Sequence, residues 1–122
     1  MKLLLIDDDD FLRDMYAMKF KEDGYEVEVA DSAVAALRMI EKNQDIGVVL
    51  LDMIMPGMTG LELMRVVKDQ FPNFEAKFIV LSNQGQAEDV KKATGLGAVG
   101  YIIKAESIPS DVVKKVEILI NK

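Results

Sequence analysis

A run of four apolar residues that ends in a single acid, VVLLD at residues 48–52, constrains this chain more than any other stretch. An unbroken apolar run bounded by a turn is typical of a strand buried on both faces of a parallel sheet. The turn here contains Pro56 and Gly57, so Asp52 is predicted to lie where the strand ends. Ligands bind at this carboxyl edge in open parallel sheets. We therefore predict that Asp52 is the chemical centre of the molecule.

Composition limits the chemistry that can surround this acid. The 122 residues are enough for one domain with a core. The net charge of −6 argues against direct binding of nucleic acid, which requires Lys and Arg to neutralise phosphates. Because the chain has no Cys and no His, thiol nucleophiles, thiolate metal sites and histidine bases are excluded. The short apolar run at the N-terminus fits neither a secretion signal nor a membrane span, so we expect a cytoplasmic protein.

Apolar runs alternate with helical patterns along the whole chain. The predicted strands are Leu3–Ile6, Tyr25–Val29, Val48–Leu51, Phe78–Leu81 and Val99–Ile103. The predicted helices cover Phe11–Lys21, Ala33–Lys42, a segment opening at Thr59 or Gly60, a segment from about Gln86, and a segment beginning at Pro109. Five such strand–helix pairs predict a doubly wound α/β fold with a parallel sheet of flavodoxin-like order 2-1-3-4-5. The second strand alternates polar and apolar residues, which suits an edge.

The first and fourth predicted helices differ in the apolar faces that they offer. In the first helix the apolar residues at helical spacing are Phe11, Met15 and Met18, and we predict that this face is buried. The fourth helix offers only Ala87, Val90 and Ala93, so we expect it to pack lightly.

Polar side chains follow four of the five predicted strands. They are Asp7 and Asp8 after the first strand, Asp52 after the third, Ser82 after the fourth and Lys104 after the fifth. Because these strands are parallel, the side chains are predicted to meet at one edge of the sheet. Three carboxylates and one ammonium leave a charge of −2, which a Mg²⁺ with its oxygen ligands would neutralise. Asp52 could then attack a phosphoryl group, while the lysine and the serine hydroxyl stabilise its oxygens.

Four segments, LLLIDDD, VVLLDMIMPGMTG, FIVLSNQGQ and GAVGYIIK, together resemble the response-regulator receiver domain of bacterial two-component signalling. The resemblance is to chemotaxis regulators of this family and covers essentially all of residues 1–122. It implies that Asp52 accepts a phosphoryl group from the phosphohistidine of a sensor histidine kinase or a phosphotransfer protein. Such a domain assists its own phosphorylation and dephosphorylation but is not an enzyme in the usual sense.

The resemblance also assigns roles to the neighbours of Asp52. Asp8, Asp52 and the backbone carbonyl of Ile54 are the implied Mg²⁺ ligands, with Asp7 helping through water. Ser82 and Lys104 are the implied phosphoryl-binding pair. Ser82 and Tyr101 are the implied switch residues, and Tyr101 turns inward when the hydroxyl is drawn to the phosphate.

The implied output surface is the face formed by the fourth helix, the fifth strand and the fifth helix. We expect a downstream protein to bind there, and a homodimer stays open. We also expect a stand-alone receiver, because no effector segment follows Lys122 in the sequence given.

Three positions depart from the family pattern. Ala105 stands where a proline with a cis peptide is usual; since a cis bond without proline costs about 2.5–4 kcal/mol, we predict a trans or mobile Lys104–Ala105 peptide. Asn83 replaces a very small residue and is expected to narrow access to Asp52. Ile108 precedes Pro109 where a polar cap is common, so the last helix is expected to start raggedly or to use Ser107.

Three alternatives stay open. A receiver-like module that binds partners without phosphorylation would suit Ala105 and Asn83. A small phosphatase with an aspartyl nucleophile usually needs a second acid two residues further on, where this chain has Ile54, and it usually needs a cap domain. A flavodoxin-like nucleotide or flavin binder would need a phosphate-cradling loop after the first strand, where four aspartates stand instead.

Overall fold

The computed structural model describes residues 1–121. Its strands are β1 (Lys2–Ile6), β2 (Glu26–Ala30), β3 (Ile46–Leu51), β4 (Lys77–Ser82) and β5 (Ala98–Ile103). Its α-helices are α1 (Asp10–Glu22), α2 (Ala33–Lys42), α3 (Gly60–Gln70), α4 (Ala87–Gly95) and α5 (Pro109–Ile120), and a single 3-10 turn covers Lys104–Glu106. Strands and helices alternate along the chain, as the sequence predicts.

The five strands form one parallel sheet in the order β2-β1-β3-β4-β5, which confirms the predicted topology and the edge position of β2. Ile6 of β1 pairs with Leu51 of β3, the last residue of each strand. Both strands therefore end at the same level, and the next residue of each is an aspartate. In the other half of the sheet, Ser82 of β4 pairs with Ile103 of β5, the last residue of each strand. Lys104 follows one residue further along the chain.

Helices cover both faces of this sheet because alternate strand residues point to opposite sides. Leu4, Ile6, Val49, Leu51 and Val80 pack on one side with residues of α2 and α3. Leu3, Leu5, Val48, Leu50 and Ile79 pack on the other side with residues of α1 and α5. The central strands are thus buried on both faces, which is why they consist of unbroken apolar runs.

The predicted buried face of α1 is wrong for Phe11 and Met18, whereas Met15 packs partly against the core. Phe11 is 75% exposed and Met18 is 61% exposed, whereas Tyr16, Ala17 and Phe20 are buried. The helix carries two apolar stripes at helical spacing, and the buried one contains two aromatic side chains that pack with residues of the sheet and of α5. Phe20 packs edge-to-face on Tyr25 at a centroid distance of 5.4 Å, so the α1–β2 connection holds this stripe against the sheet.

The helix starts vary in how they are capped. The Asp9 carboxylate accepts from the Leu12 amide at 3.0 Å, and the Ser32 hydroxyl accepts from the Ala35 amide at 3.2 Å. Thr59 caps α3 as one half of a capping box with Glu62. These side chains satisfy amides that lack a partner within the helix.

The last two helices begin without a capping side chain. Only Ala93 of α4 is buried, which confirms the predicted light packing of this helix. α5 begins at Pro109 after Ile108, and the suggestion that Ser107 caps it is wrong. The Ser107 hydroxyl instead accepts a hydrogen bond from Lys115, in the second turn of the helix. Across residues 1–121, no helix combines the length and apolar character needed to cross a bilayer.

Candidate functional site

The two central aspartates extend from the sheet on rigid backbone. The Asp7 amide donates to the Ala30 carbonyl at 3.1 Å, and the Asp52 amide donates to the Ile6 carbonyl at 3.2 Å. The ladder of the sheet therefore continues for one residue beyond β1 and β3. Gly60 at the start of α3 packs closely beneath this point, since a Cβ there would lie 2.5 Å from the Asp52 carbonyl oxygen.

Three carboxylates converge at this edge, as predicted. One carboxylate oxygen from each of Asp7, Asp8 and Asp52 lies within 4.8 Å of the other two. Asp7 is buried, Asp52 is partly buried and Asp8 is exposed, so the cluster opens to solvent on the side of Asp8. This donor set consists of hard oxygen atoms, the ligands that Mg²⁺ prefers. The cluster could hold such an ion.

Lys104 joins two of these acids. Its Nζ lies 2.6 Å from Asp7 Oδ2 and 2.9 Å from Asp52 Oδ2, and the three side chains are only 7%, 2% and 13% exposed. Burial alone would lower the pKa of the lysine ammonium, but the hydrogen bonds and charges of Asp7 and Asp52 outweigh it and raise the pKa above its usual value. The lysine is therefore cationic. Its single charge faces three carboxylates, so a net negative charge remains for a metal to offset.

The second oxygen of Asp52 is held by neutral donors. The Ser82 hydroxyl donates to Asp52 Oδ1 at 2.9 Å, and the Ile54 amide donates to the same oxygen at 3.2 Å. Ser82 is buried, and its Oγ also accepts from the Gln84 amide at 3.2 Å. Ser82 is thus placed between Asp52 and the β4–α4 loop. The Ile54 side chain is exposed, and the role of its carbonyl as a metal ligand stays a prediction.

Tyr101 lies three residues before Lys104 on β5, but it does not contact the acids. Its hydroxyl donates to the backbone carbonyl of Gln84, which ties β5 to the β4–α4 loop. Burial raises the pKa of Tyr101 to about 12, with smaller contributions from the charges of Asp89 and Asp52. The aromatic side chain packs partly against the core on the α2–α3 side of the sheet.

Two of the departures from the family pattern lie beside these groups. All peptide bonds of residues 1–121 are trans, so the Lys104–Ala105 peptide is trans, as predicted. Lys104 and Ala105 begin the 3-10 turn that follows β5. Asn83 is exposed next to Ser82, and its effect on access to Asp52 stays a prediction.

Sequence reasoning predicted Asp9 or Asp10 as the cap of the first helix, but it missed Arg13 and the contact of the Asp9 backbone amide with Asp7. Arg13 Nη1 donates to the Asp7 carbonyl at 3.0 Å, and Nη2 donates to Asp10 Oδ1 at 2.7 Å. The Asp9 amide donates to Asp7 Oδ1 at 3.0 Å. The spacing of Asp10 and Arg13 could have indicated an ion pair on α1. The contact with Asp7 could not be found this way, because it depends on how the chain turns between β1 and α1.

Comparison with known proteins agrees with this fold. A profile of the family described as "Response regulator receiver domain" matches residues 3–117. Chemotaxis protein CheY of Halobacterium salinarum is 34% identical over 111 residues, and the alignment covers 89% of this chain and 88% of that protein. Two-component response regulator PhoP of Pseudomonas aeruginosa is 32% identical over 105 residues. That alignment covers 85% of this chain but only 45% of PhoP, so the chain spans less than half of that protein.

A solved structure supports the same assignment. Chemotaxis protein CheY4 of Vibrio cholerae matches with a TM-score of 0.87 at 28% sequence identity, covering 97% of each chain. The profile match, the CheY relative and the shared five-stranded topology agree with one another. The chain belongs to the family of response regulator receiver domains.

Proposed function

We propose that this chain is the phosphoacceptor receiver of a two-component phosphorelay and that Asp52 takes the phosphoryl group, with Mg²⁺, in the cytoplasm. The donor is the phosphohistidine of a sensor histidine kinase or a phosphotransfer protein. The observation that carries the proposal is the set of contacts on Asp52, where Lys104 binds one carboxylate oxygen and Ser82 the other. A carboxylate held in this way is oriented as a nucleophile, and its neighbours can bind the oxygens of an incoming phosphoryl group.

The transfer uses these side chains in defined roles. A carboxylate oxygen of Asp52 forms a bond to phosphorus while the P–N bond of the phosphohistidine breaks, and the electron pair of that bond stays on the imidazole. Lys104 is anchored by Asp7 at 2.6 Å, so its ammonium can stay at the site and donate to a phosphoryl oxygen. The Gln84 amide donates to Ser82 Oγ and keeps this oxygen in place. The Ser82 hydroxyl can therefore turn its hydrogen from Asp52 to a phosphoryl oxygen.

The acidic cluster fits the metal that the family implies. Three carboxylates against one ammonium leave an excess of negative charge at this edge, and their oxygens lie within 4.8 Å of one another. Asp8, Asp52 and the Ile54 carbonyl would hold the ion, with Asp7 acting through water. A bound Mg²⁺ would offset the charge that the acceptor and the phosphoryl oxygens bring together.

We further propose that phosphorylation changes the affinity of the α4–β5–α5 face for a downstream protein. Ser82 and Tyr101 are linked through Gln84, because the Gln84 amide donates to Ser82 Oγ and its carbonyl accepts from the Tyr101 hydroxyl. A shift of Ser82 toward the phosphoryl group would pull on this loop and release or redirect Tyr101. The lightly packed α4 follows directly, so little buried surface opposes its movement.

Phosphorylation is tested by incubating the protein with acetyl phosphate and Mg²⁺ and measuring intact mass. We expect the wild-type protein to gain one phosphoryl group and Asp52→Asn to gain none. Asp45→Asn is the matched control, because Asp45 is an exposed acid remote from the cluster, and it should behave as the wild type. Beryllofluoride in the same buffer should shift the amide resonances of residues around Ser82 in the wild type and in Asp45→Asn, but not in Asp52→Asn.

The outcomes separate the alternatives. An equal mass gain in Asp52→Asn and in the wild type would place the modification elsewhere and refute the proposed acceptor. A wild-type protein that takes no phosphoryl group from acetyl phosphate or from a phosphorylated kinase would instead favour a module that binds partners without phosphorylation. Continuous release of phosphate from a phosphomonoester, lost in Asp52→Asn, would indicate a phosphatase.

A further inference from the structure

Arg13 connects helix α1 to the backbone of the acidic edge. Its side chain is only 14% exposed and reaches back from the first turn of the helix. Nη1 donates to the Asp7 carbonyl at 3.0 Å, and Nη2 donates to Asp10 Oδ1 at 2.7 Å. Arg13 Nε is buried without a hydrogen-bond partner within residues 1–121, so the two Nη contacts are what fix the guanidinium.

The carbonyl that Arg13 binds belongs to the peptide unit between Asp7 and Asp8. Asp7 itself is fixed by other contacts, since its amide bonds to Ala30 and its two carboxylate oxygens bond to the Asp9 amide and to Lys104. Asp8 follows the end of β1 and is exposed, so neither the sheet nor the core restrains its side chain. The orientation of its carboxylate depends on the peptide planes on either side of it. Arg13 holds the plane that precedes it.

We infer that Arg13 is a positioning residue for the metal site, which holds the Asp7–Asp8 peptide so that the Asp8 carboxylate stays within the acidic cluster. This inference rests on the proposed function, because it concerns the Mg²⁺ that the cluster would bind. Asp10 has a supporting part, since its carboxylate fixes the second nitrogen of the guanidinium. Groups that orient metal ligands in this way typically contribute a factor of 10–100 to metal affinity.

The charge of Arg13 makes the inference sharply testable. A positive charge close to a cation site weakens cation binding by Coulomb repulsion, so electrostatics alone predicts that removal of Arg13 tightens Mg²⁺ binding. A positioning role predicts the opposite, namely weaker Mg²⁺ binding when Arg13 is removed. The direction of the change therefore decides between a positioning role and a simple charge effect.

The experiment is calorimetric titration of Mg²⁺ into the full chain without any phosphodonor. We expect Arg13→Met to weaken Mg²⁺ affinity about 10-fold, at the lower end of the range for orienting groups, because the site still contains all its ligands. Arg38→Met is the matched control: it removes the same charge from an exposed position on α2 and should leave the affinity unchanged. Asp10→Asn keeps the contact with the Asp7 carbonyl and should lose less than Arg13→Met.

A readout without metal separates positioning from metal binding itself. In the metal-free protein, the amide resonances of Asp8 and Asp9 should shift in Arg13→Met and stay in place in Arg38→Met. If Arg13→Met fails to fold, Arg13→Lys keeps the charge and a single donor group, and it should still bind Mg²⁺ more weakly than the wild type.

Each result has a distinct meaning. Wild-type binding of Mg²⁺ with equal or tighter binding by Arg13→Met and Arg13→Lys would overturn the positioning role and leave the proposed function intact. A wild-type protein that binds no Mg²⁺ would refute the metal-assisted function, and the role of Arg13 with it.

Discussion

Replacement of Lys104 by methionine tests the electrostatics of the site most directly. The substitution removes the ammonium but keeps an unbranched side chain of similar length, so two buried or nearly buried carboxylates, Asp7 and Asp52, lose their shared partner. Removing one partner of a buried ion pair costs about 3–5 kcal/mol, because a desolvated charge is left uncompensated. We expect Lys104→Met to lower the free energy of unfolding by about this amount in metal-free buffer.

The assay is urea denaturation followed by circular dichroism, with chelator present and then with Mg²⁺. Lys92→Met is the matched control, because Lys92 pairs with Glu88 on the exposed surface of α4 and such pairs contribute about 0.3–0.5 kcal/mol. Mg²⁺ at about 100 times its dissociation constant should restore about 2.7 kcal/mol to Lys104→Met, since the ion supplies the missing positive charge.

A double variant sharpens the test. Asp7→Asn combined with Lys104→Met removes one of the two uncompensated charges, so the double variant should be more stable than Lys104→Met alone. A Lys104→Met protein as stable as the wild type in chelator would refute the reasoning, because it would mean that the carboxylates need no compensation. Equal losses in Lys104→Met and Lys92→Met would refute it as well.

The remaining predictions concern single features of the fold and the site. Asp8→Ala should raise the melting temperature of the metal-free protein and abolish stabilisation by Mg²⁺, because one like charge is relieved and one ligand is lost; a steep fall in melting temperature would make Asp8 structural. Phe20→Ala should cost about 3–5 kcal/mol in urea denaturation, whereas the exposed Phe11→Ala should change stability by less than about 0.5 kcal/mol. Burial raises the pKa of Tyr101 to about 12, so the folded state retains the phenol proton and loses stability as the pH rises from about 10 to about 12. Tyr101→Phe should lose less stability over this interval, and equal losses in pH-dependent unfolding would argue against a buried phenol.

The strands of the sheet and their order are largely predictable from the sequence, because unbroken apolar runs are a strong signal for buried strands. The apolar runs before Asp7 and Asp52 fit parallel strands that are buried on both faces, and the common direction of all the strands brings the polar residues together. Ser82 follows from the same argument. At these strand ends the local residue pattern agrees with the fold, so the residues that lie at the carboxyl edge of the sheet can be predicted individually.

The parts that were not predictable depend on contacts between distant or irregular segments. The α1 pattern offers two apolar stripes, and Phe20 rather than Met18 is buried because of packing against the sheet and against Tyr25, which the pattern does not reveal. The contact of Arg13 with the Asp7 carbonyl depends on the path of the β1–α1 turn. The Tyr101 hydroxyl donates to a backbone carbonyl, and no residue pattern in the sequence indicates which carbonyl that is.

The ion pair between Lys104 and Asp7 joins residues that are 97 positions apart. During synthesis the three acids and the strands that carry them emerge well before the lysine, so until Lys104 emerges the carboxyl edge of β1 and β3 bears repelling charges without a counterion of its own. We expect the sheet to stay loose at this edge until β5 docks, unless a cation from solution takes the place of Lys104. Faster amide exchange at the ends of β1 and β3 in chelated Lys104→Met would report this state. We therefore expect Asp52 to become ordered only when β5, with Lys104 directly after it, has docked on the sheet.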